Sequence, residues 1–271
     1  MTGSAPAGTP TKFEIFRDLH HGDRPLLLPN AWDFASAALL ATEGFPAIGT
    51  TSLGVAAAAG RTDGAGVTKE ETSAVARSLG RLPVPITVDI EGGFDERPEA
   101  VADFAEQLAA GGIAGVNLED GRGGSALADP RHHAALIGAI KDRTPDLFVN
   151  ARVDTYWLGL DHGSTHERVR RYAAAGADGV FVPGLADPAR IERIVTTTEL
   201  PVNVLYSATG PDIGTMTSLG VRRISTGSLL YRAALSAAMD VARALRHDAP
   251  VAPGIVSYSD IQRLLPAPAD S

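Results

Sequence analysis

The feature that most limits how this chain can fold is an alternation: short apolar, β-branched runs bounded by Gly and Pro recur between Ala-, Leu- and Arg-rich segments of helical period. Strand-then-helix, repeated, is the pattern of βα units whose strands pair in parallel. Strands are read at Leu26–Pro29, Ala47–Thr50, Ile86–Ile90, Gly115–Leu118, Phe148–Arg152, Gly179–Val182, Val202–Leu205 and Arg223–Thr226. Helices are read near 33–43, 68–80, 98–110, 130–143, 164–175, 187–197, 211–219 and 228–246. The tags EGFPA, AGGIAG, AAGADG and SLGVRR each put a glycine just after a helix, where a left-handed residue ends it and feeds the next strand. Eight such units predict an α/β fold, a (β/α)8 TIM-type barrel, followed by an additional C-terminal helix within PGIVSYSDIQRLL.

A length of 271 residues with 44% apolar content suits one barrel domain over 13–271. Residues 1–12, MTGSAPAGTPTK, are small, polar and proline-bearing, and are read as a disordered tail. A net charge of −8 with no Lys/Arg-rich run argues against a nucleic-acid partner. No stretch approaches the roughly 18 consecutive apolar residues of a membrane span. With no cysteine there is no disulfide framework, thiolate nucleophile or Cys-bound zinc, and the N-terminus lacks a signal-peptide layout. The expectation is a cytoplasmic enzyme with a small-molecule partner.

Three of the strands end in charge: PITVDIEGG with Asp89 and Glu91, GVNLEDG with Glu119 and Asp120, VNARVD with Arg152 and Asp154. In such barrels the carboxyl ends of the strands build the active site. Carboxylates gathered there suit a hard divalent cation, and an arginine beside them suits an anionic substrate. The competing reading for each residue is that it caps the next helix or pairs with a neighbouring arginine. A Schiff-base route is disfavoured because the only lysines are Lys12, Lys69 and Lys141, in the tail and two helices. Zinc chemistry is disfavoured because no histidine falls at a strand end, and His132 and His133 are read as a solvated helix start. Gly121–Gly124 lacks P-loop spacing and is read as a lid.

The motifs LPNAWDFASAALLATEGFPAIGTTSLGVAAAAGRTDG, VPITVDIEGGF, GVNLEDG, VNARVD and AAGADGVFVPG, in this order, resemble the isocitrate lyase/phosphoenolpyruvate mutase superfamily from about Phe13 to at least Ala234. The resemblance implies that Asp89 ligates Mg²⁺ directly, with Mn²⁺ as a substitute, while Asp63, Glu91 and Glu119 hold waters of its shell. It implies that Arg152 clamps the substrate carboxylate. Thr51, Ser52 and Leu53 would bind the other end of the substrate, with Trp32 and Asp33 flanking the pocket. Asp33 has an alternative reading as a helix N-cap.

The chain departs from the family in two places. Isocitrate and methylisocitrate lyases carry a cysteine- and lysine-bearing gating loop, whereas the loop here is EDGRGGSALADPRHH. Its Arg122 is read as either electrostatic or solvated. The phosphonate-forming mutases carry a histidine near the end of the sixth strand, where this chain has Pro183 and Gly184. What remains implies a Mg²⁺-dependent lyase that cleaves a C–C bond of a small 2-oxo or 2-hydroxy carboxylic acid through an enolate. The alternatives are a C–P bond enzyme and a non-catalytic barrel that binds a small acid. Tyr206, closing the seventh strand, is the preferred proton donor, with Tyr156 and Ser207 behind it. Family members exchange a C-terminal helix between subunits, so the amphipathic run SLLYRAALSAAMDVARALRH implies a homo-oligomer, dimer or tetramer.

Overall fold

The computed structural model describes residues 9–265. Its first half comprises α1 (Lys12–Leu19), β1 (Leu26–Leu28), β2 (Asn30–Ala31), α2 (Phe34–Thr42), β3 (Ile48–Thr50), α3 (Ser52–Ala58), α4 (Lys69–Leu79), β4 (Ile86–Asp89), α5 (Pro98–Ala110), β5 (Gly115–Glu119), β6 (Gly121–Arg122), β7 (Ala126–Leu127) and α6 (Pro130–Arg143). The second half comprises β8 (Phe148–Arg152), α7 (Thr165–Ala174), β9 (Gly179–Phe181), α8 (Pro188–Val195), β10 (Val202–Leu205), α9 (Ile213–Ser218), β11 (Arg223–Ser225), α10 (Leu229–Arg246) and α11 (Tyr258–Leu264).

The eight strands and eight helices read from the alternation are present, with ends shifted by a residue or two. The large sheet runs β1-β11-β10-β9-β8-β5-β4-β3-β2, parallel throughout. β1 and β2 are one stretch of chain split at Pro29, which has no N–H to give a ladder. β1 pairs with β11 and β2 with β3, so this first stave closes the barrel. The tag glycines Gly44, Gly112, Gly176 and Gly220 take φ of 87°, 87°, 97° and 84°, the left-handed region that ends a helix cheaply only with glycine.

Strand side chains alternate between the barrel axis and the helical layer. Val88, Val116, Leu118, Val149 and Ala151 join the shell of helix side chains, including Leu79, Phe104, Leu136, Ile140 and Tyr172. The axis is polar instead: Thr87, Asn117, Asn150, Asn203, Arg223 and Ser225 are all buried. Among the described residues no helix is long and apolar enough to cross a membrane.

Three elements went unread in the sequence. Residues 1–8 of the expected tail lie outside the described residues, but Lys12 is not tail: it begins α1, held by a Thr11/Glu14 capping box. α1 plugs the amino-terminal end of the barrel, where fully buried Phe16 meets Phe148 edge-on at 5.2 Å and Lys12 Nζ donates to the carbonyls of Gly80 and Leu82 at 2.7 Å. The Thr51-Ser52-Leu53 turn runs directly into α3. The glycine-rich loop forms a hairpin, with β6 and β7 antiparallel and Gly123 and Gly124 at positive φ. His133 corrects the expectation of a solvated helix start: it is fully buried against the Tyr172 ring, and burial pushes its imidazole down to about 3, hence neutral. Only His132 reaches the surface, 3.0 Å from Glu96.

Candidate active site

At the carboxyl ends of the strands lies a cavity of about 490 Å³. Its charged wall comes from three adjacent strands. Register sets Asp89 beside Asn117 and Glu119 beside Arg152, so side chains two residues apart on each strand share the inward face. Arg152 Nη1 lies 2.7 Å from Glu119 and 3.8 Å from Asp89, and its Nε donates to Asp154 at 2.6 Å. Asp89 Oδ1 accepts from the Glu91 backbone N–H at 3.1 Å. Thr51, Ser52 and Leu53 line the cavity, as does Asp63 from the loop after α3. Thr51 Oγ1 caps the N–H of Gly54 at 3.4 Å. The N–H groups of Ser52 and Leu53 belong to the first helical turn, which offers no intrahelical acceptor.

Burial pushes the Asp89 carboxyl up to about 6, against the pull of Arg152. Burial likewise lifts Glu119 to about 8; Arg152 opposes this and the neighbouring Asp89 and Asp154 add to it. The short Arg152–Glu119 contact is therefore not enough to satisfy Glu119 in its charged form, because burial and the neighbouring acids outweigh the pull of Arg152. Arg152 itself is held well above its ordinary value: burial works against its charge, but Glu119, Asp154 and Asp89 outweigh it. When all three are ionised, the carboxylates outnumber the guanidinium three to one, a surplus of negative charge in a buried site.

A divalent cation fits that surplus. Among the described residues no three Asp, Glu, His or Cys side chains converge closely enough to grip an ion alone. Water and substrate oxygens would therefore complete the shell around one or two carboxylates, which is how Mg²⁺ is commonly held. The donor set is all oxygen, with no soft ligand.

Several expected site residues stand elsewhere. Glu91 is off the cavity wall, in an adjoining cleft, where its carboxylate accepts from Gly66 N–H at 2.8 Å and Thr68 Oγ1 at 2.5 Å. Asp120 is a structural acid: Arg168 Nη1 at 2.9 Å, the Tyr172 hydroxyl at 2.7 Å and Asp154 N–H at 2.8 Å all donate to it. Asp33 is the N-cap of α2, donated to by Ser36 N–H. Trp32 does not line the cavity but packs edge-on against Tyr231 of α10 at 5.2 Å. Tyr206 is also off the wall, partly buried against the outer core. Tyr156 stacks on His162 at 4.4 Å, and exposed Ser207 pairs with Thr209. Arg122 is neither free nor solvated: Nη1 donates to the carbonyls of Glu119 and Gly121, and Nε to Glu96 at 3.1 Å.

The wall also contains Asn30, Asn117, Trp157, Ser225 and Arg232, which sequence reasoning passed over. For Asn117 the signal was present: a polar residue inside an apolar strand, two positions before a strand-end acid.

Comparison with known proteins gives a consistent picture. The family model for phosphoenolpyruvate phosphomutase matches residues 16–246. An uncharacterized protein of Mycobacterium tuberculosis is 46% identical over 252 residues, covering 92% of this chain and 95% of its own. A phosphonomutase-like crystal structure from Burkholderia cenocepacia superposes with a TM-score of 0.80 at 38% identity, over 86% of this chain and 99% of that one. An oxaloacetate decarboxylase of Ectopseudomonas mendocina is 28% identical over 69% of this chain and 68% of its own. The chain is thus an enzyme of the phosphoenolpyruvate phosphomutase family, within the isocitrate lyase/phosphoenolpyruvate mutase superfamily of lyases and mutases.

Proposed function

We propose that this enzyme is a Mg²⁺-dependent lyase that breaks a carbon–carbon bond of a small 2-oxo or 2-hydroxy carboxylic acid through an enolate. The observation that carries the proposal is the meeting of Asp89, Glu119, Asp154 and Arg152 on one cavity wall, where three acids share a single guanidinium. A bound Mg²⁺, or Mn²⁺ in its place, would supply a Lewis acid for the developing oxyanion. Asp89 would ligate it, and Asp63 and Glu119 would orient the surrounding water. Arg152, its fork locked by Asp154 and Glu119, would hold the substrate carboxylate. The N–H groups of Ser52 and Leu53, with the Thr51 hydroxyl, would receive the other end.

Of the two cleavage types, decarboxylation of a 2-oxo acid that carries a second carboxylate on C3 asks less of this wall. Loss of CO₂ moves no proton in the bond-breaking step, and no His, Lys, Tyr or Cys is among the described lining residues. Retro-aldol cleavage of a 2-hydroxy acid needs a base for the hydroxyl, and Glu119, lifted to about 8, is the candidate. The resemblance to a phosphonomutase-like protein supports a second reading, C–P bond chemistry. The lack of a lining histidine weighs against it.

The test is a panel of oxaloacetate, alkylmalates, methylisocitrate and phosphonopyruvate with Mg²⁺, for wild type and Asp89→Ala. Turnover of a C–C substrate that vanishes in Asp89→Ala is the expected result. Turnover of phosphonopyruvate alone selects the second reading, and tight binding without turnover selects a small-acid binding barrel. We also infer a homo-oligomer: α10 leaves Leu235, Met239 and Leu245 at least half exposed, and sedimentation as a clean monomer would remove that inference.

A further inference from the structure

We propose that Asn117 donates its side-chain N–H to a substrate oxygen beside Asp89, and that Arg223, buried beneath the cavity, is the positioning residue that aims it. The inference rests on the reading above only in requiring that a small anionic acid fill the cavity.

Asn117 lines the cavity from the middle of β5 and is itself buried. Its register partner on β4 is Asp89, one strand spacing of about 4.8 Å away. Asn117 Oδ1 accepts two hydrogen bonds, from Asn150 Nδ2 at 2.9 Å and Arg223 Nη2 at 3.2 Å. A guanidinium has donors only, so the amide atom facing Arg223 must be the oxygen. Nδ2 is thereby turned away from Arg223, and it has no protein acceptor among the described residues.

Asn30, the other amide on the wall, shows what a purely structural role looks like. Its Oδ1 accepts from Thr226 N–H, Thr226 Oγ1 and Gly227 N–H, and its Nδ2 donates to Thr50 O at 2.8 Å. Asn30 has nothing left over, whereas Asn117 keeps two N–H bonds in hand.

Arg223 is fully buried, forms no ion pair among the described residues, and leaves Nη1 without a partner; its Nε donates to Ser225 Oγ at 3.1 Å. An uncompensated buried guanidinium is unfavourable for folding, and apolar packing would fill the same space at lower cost. It touches the cavity wall at Ser225 and Asn117, and the contact to Asn117 gives it a use: it fixes the flip of the amide.

The test is calorimetric binding of oxalate, a planar dianion with the shape of a 2-oxo acid enolate, in the presence of Mg²⁺, with thermal unfolding run on every variant. Asn117→Asp keeps an acceptor toward Arg223 but removes the donor, and is expected to weaken oxalate by about 10–100-fold, the worth of one hydrogen bond to a charged group. Asn117→Ala should lose as much. Arg223→Met, which frees the amide to turn, should weaken oxalate by about 10-fold, and Arg223→Lys, another pure donor, should recover most of it. In an Asn117→Ala background Arg223→Met should cost little more, because the group it aims is gone. Wild-type affinity in Asn117→Asp and Asn117→Ala overturns the proposal, as does an Arg223→Met loss that is equal in both backgrounds. Should Arg223→Met not fold, Arg223→Lys in the two backgrounds and the Asn117 pair decide it. Failure of wild type to bind oxalate at all overturns the reading of the cavity and this proposal with it, a result distinct from variants that bind like wild type.

Discussion

Arg152 and Glu119 stand opposite each other in register on β8 and β5, and their side chains meet at 2.7 Å. Asp154 and Asp89 press on the same guanidinium, so a cation expected to clamp substrate is already crowded by acids. A second cation in the site would relieve Arg152 of that burden and leave part of its fork for a substrate carboxylate. Under the proposed function, the balance of charge, rather than any single contact, would couple metal and substrate binding.

Asp89→Asn should separate activity from stability. Removing a ligand that helps stabilise developing negative charge is expected to lower kcat/KM by about 10²–10³-fold. The same change removes one surplus buried charge, so the metal-free protein should gain about 1–3 kcal/mol at neutral pH. Urea unfolding alongside the activity assay checks both; a variant that is less stable without metal contradicts the charge account.

The pH dependence has a defined sign. Asp89 and Glu119 have folded-state values raised to about 6 and about 8, above the ordinary 3.8 and 4.5. Between those limits the folded state holds more protons than the unfolded chain, so the stability these groups contribute is full below about pH 4 and is lost as pH rises through 6 to 8. The metal-free melting temperature should show that downward component between pH 5 and 8, and Asp89→Asn should reduce it. Mg²⁺ should raise the melting temperature more at pH 8 than at pH 5. Equal Mg²⁺ shifts at both pH values would contradict it.

Asp120 carries a stability prediction. It is fully buried and is the common acceptor of Arg168, Tyr172 and the Asp154 backbone. Asp120→Ala leaves Arg168 buried without its carboxylate and should cost about 3–5 kcal/mol. Tyr172→Phe removes one hydrogen bond and should cost about 1 kcal/mol. Denaturant titration of the two variants orders them, and a loss in Asp120→Ala no larger than in Tyr172→Phe would refute the assignment.

The barrel was legible because its signals are local and repeated: the period of each helix, the glycine at each helix end, the apolar run of each strand. α1 escaped because it precedes the first strand and so lies outside the strand–helix repeat, although Thr11 and Glu14 spell out its cap. In the site, Asp89, Glu119, Arg152 and Asp63 were readable from strand-end position and motif, and they do share a cavity wall. Asp120 and Glu91 were readable only as candidates, since adjacent residues on a strand end point to opposite sides and the sequence does not say which long-range partner, Arg168 or Thr68, awaits each. Tyr206, next to the wall residue Leu205, faces away from the cavity for the same reason. Asn117 was hidden because its meaning depends on Arg223, 106 positions along the chain.

The hairpin β6–β7 gives a final prediction, about closure. Arg122 ties it down, with Nη1 on the carbonyls of Glu119 and Gly121 and Nε on Glu96, and Gly124 at its turn lines the cavity. Arg122 runs so close to Gly92 that a Cβ there would fall 2.6 Å from Nη1. In Gly92→Ala the end of a flexible side chain must yield rather than the backbone, so the fold should survive while the tie is lost. If the hairpin serves as a lid, KM should rise about 5–10-fold, the worth of roughly 1 kcal/mol of ordering. Proteolysis near Gly123–Gly124 should quicken, and Mg²⁺ with oxalate should slow it in wild type more than in the variant. Glu96→Gln, which weakens the same tie from its other end, should move KM in the same direction by less; unchanged KM and unchanged cleavage in both variants would show that the hairpin is fixed by its own ladder and does not gate the cavity.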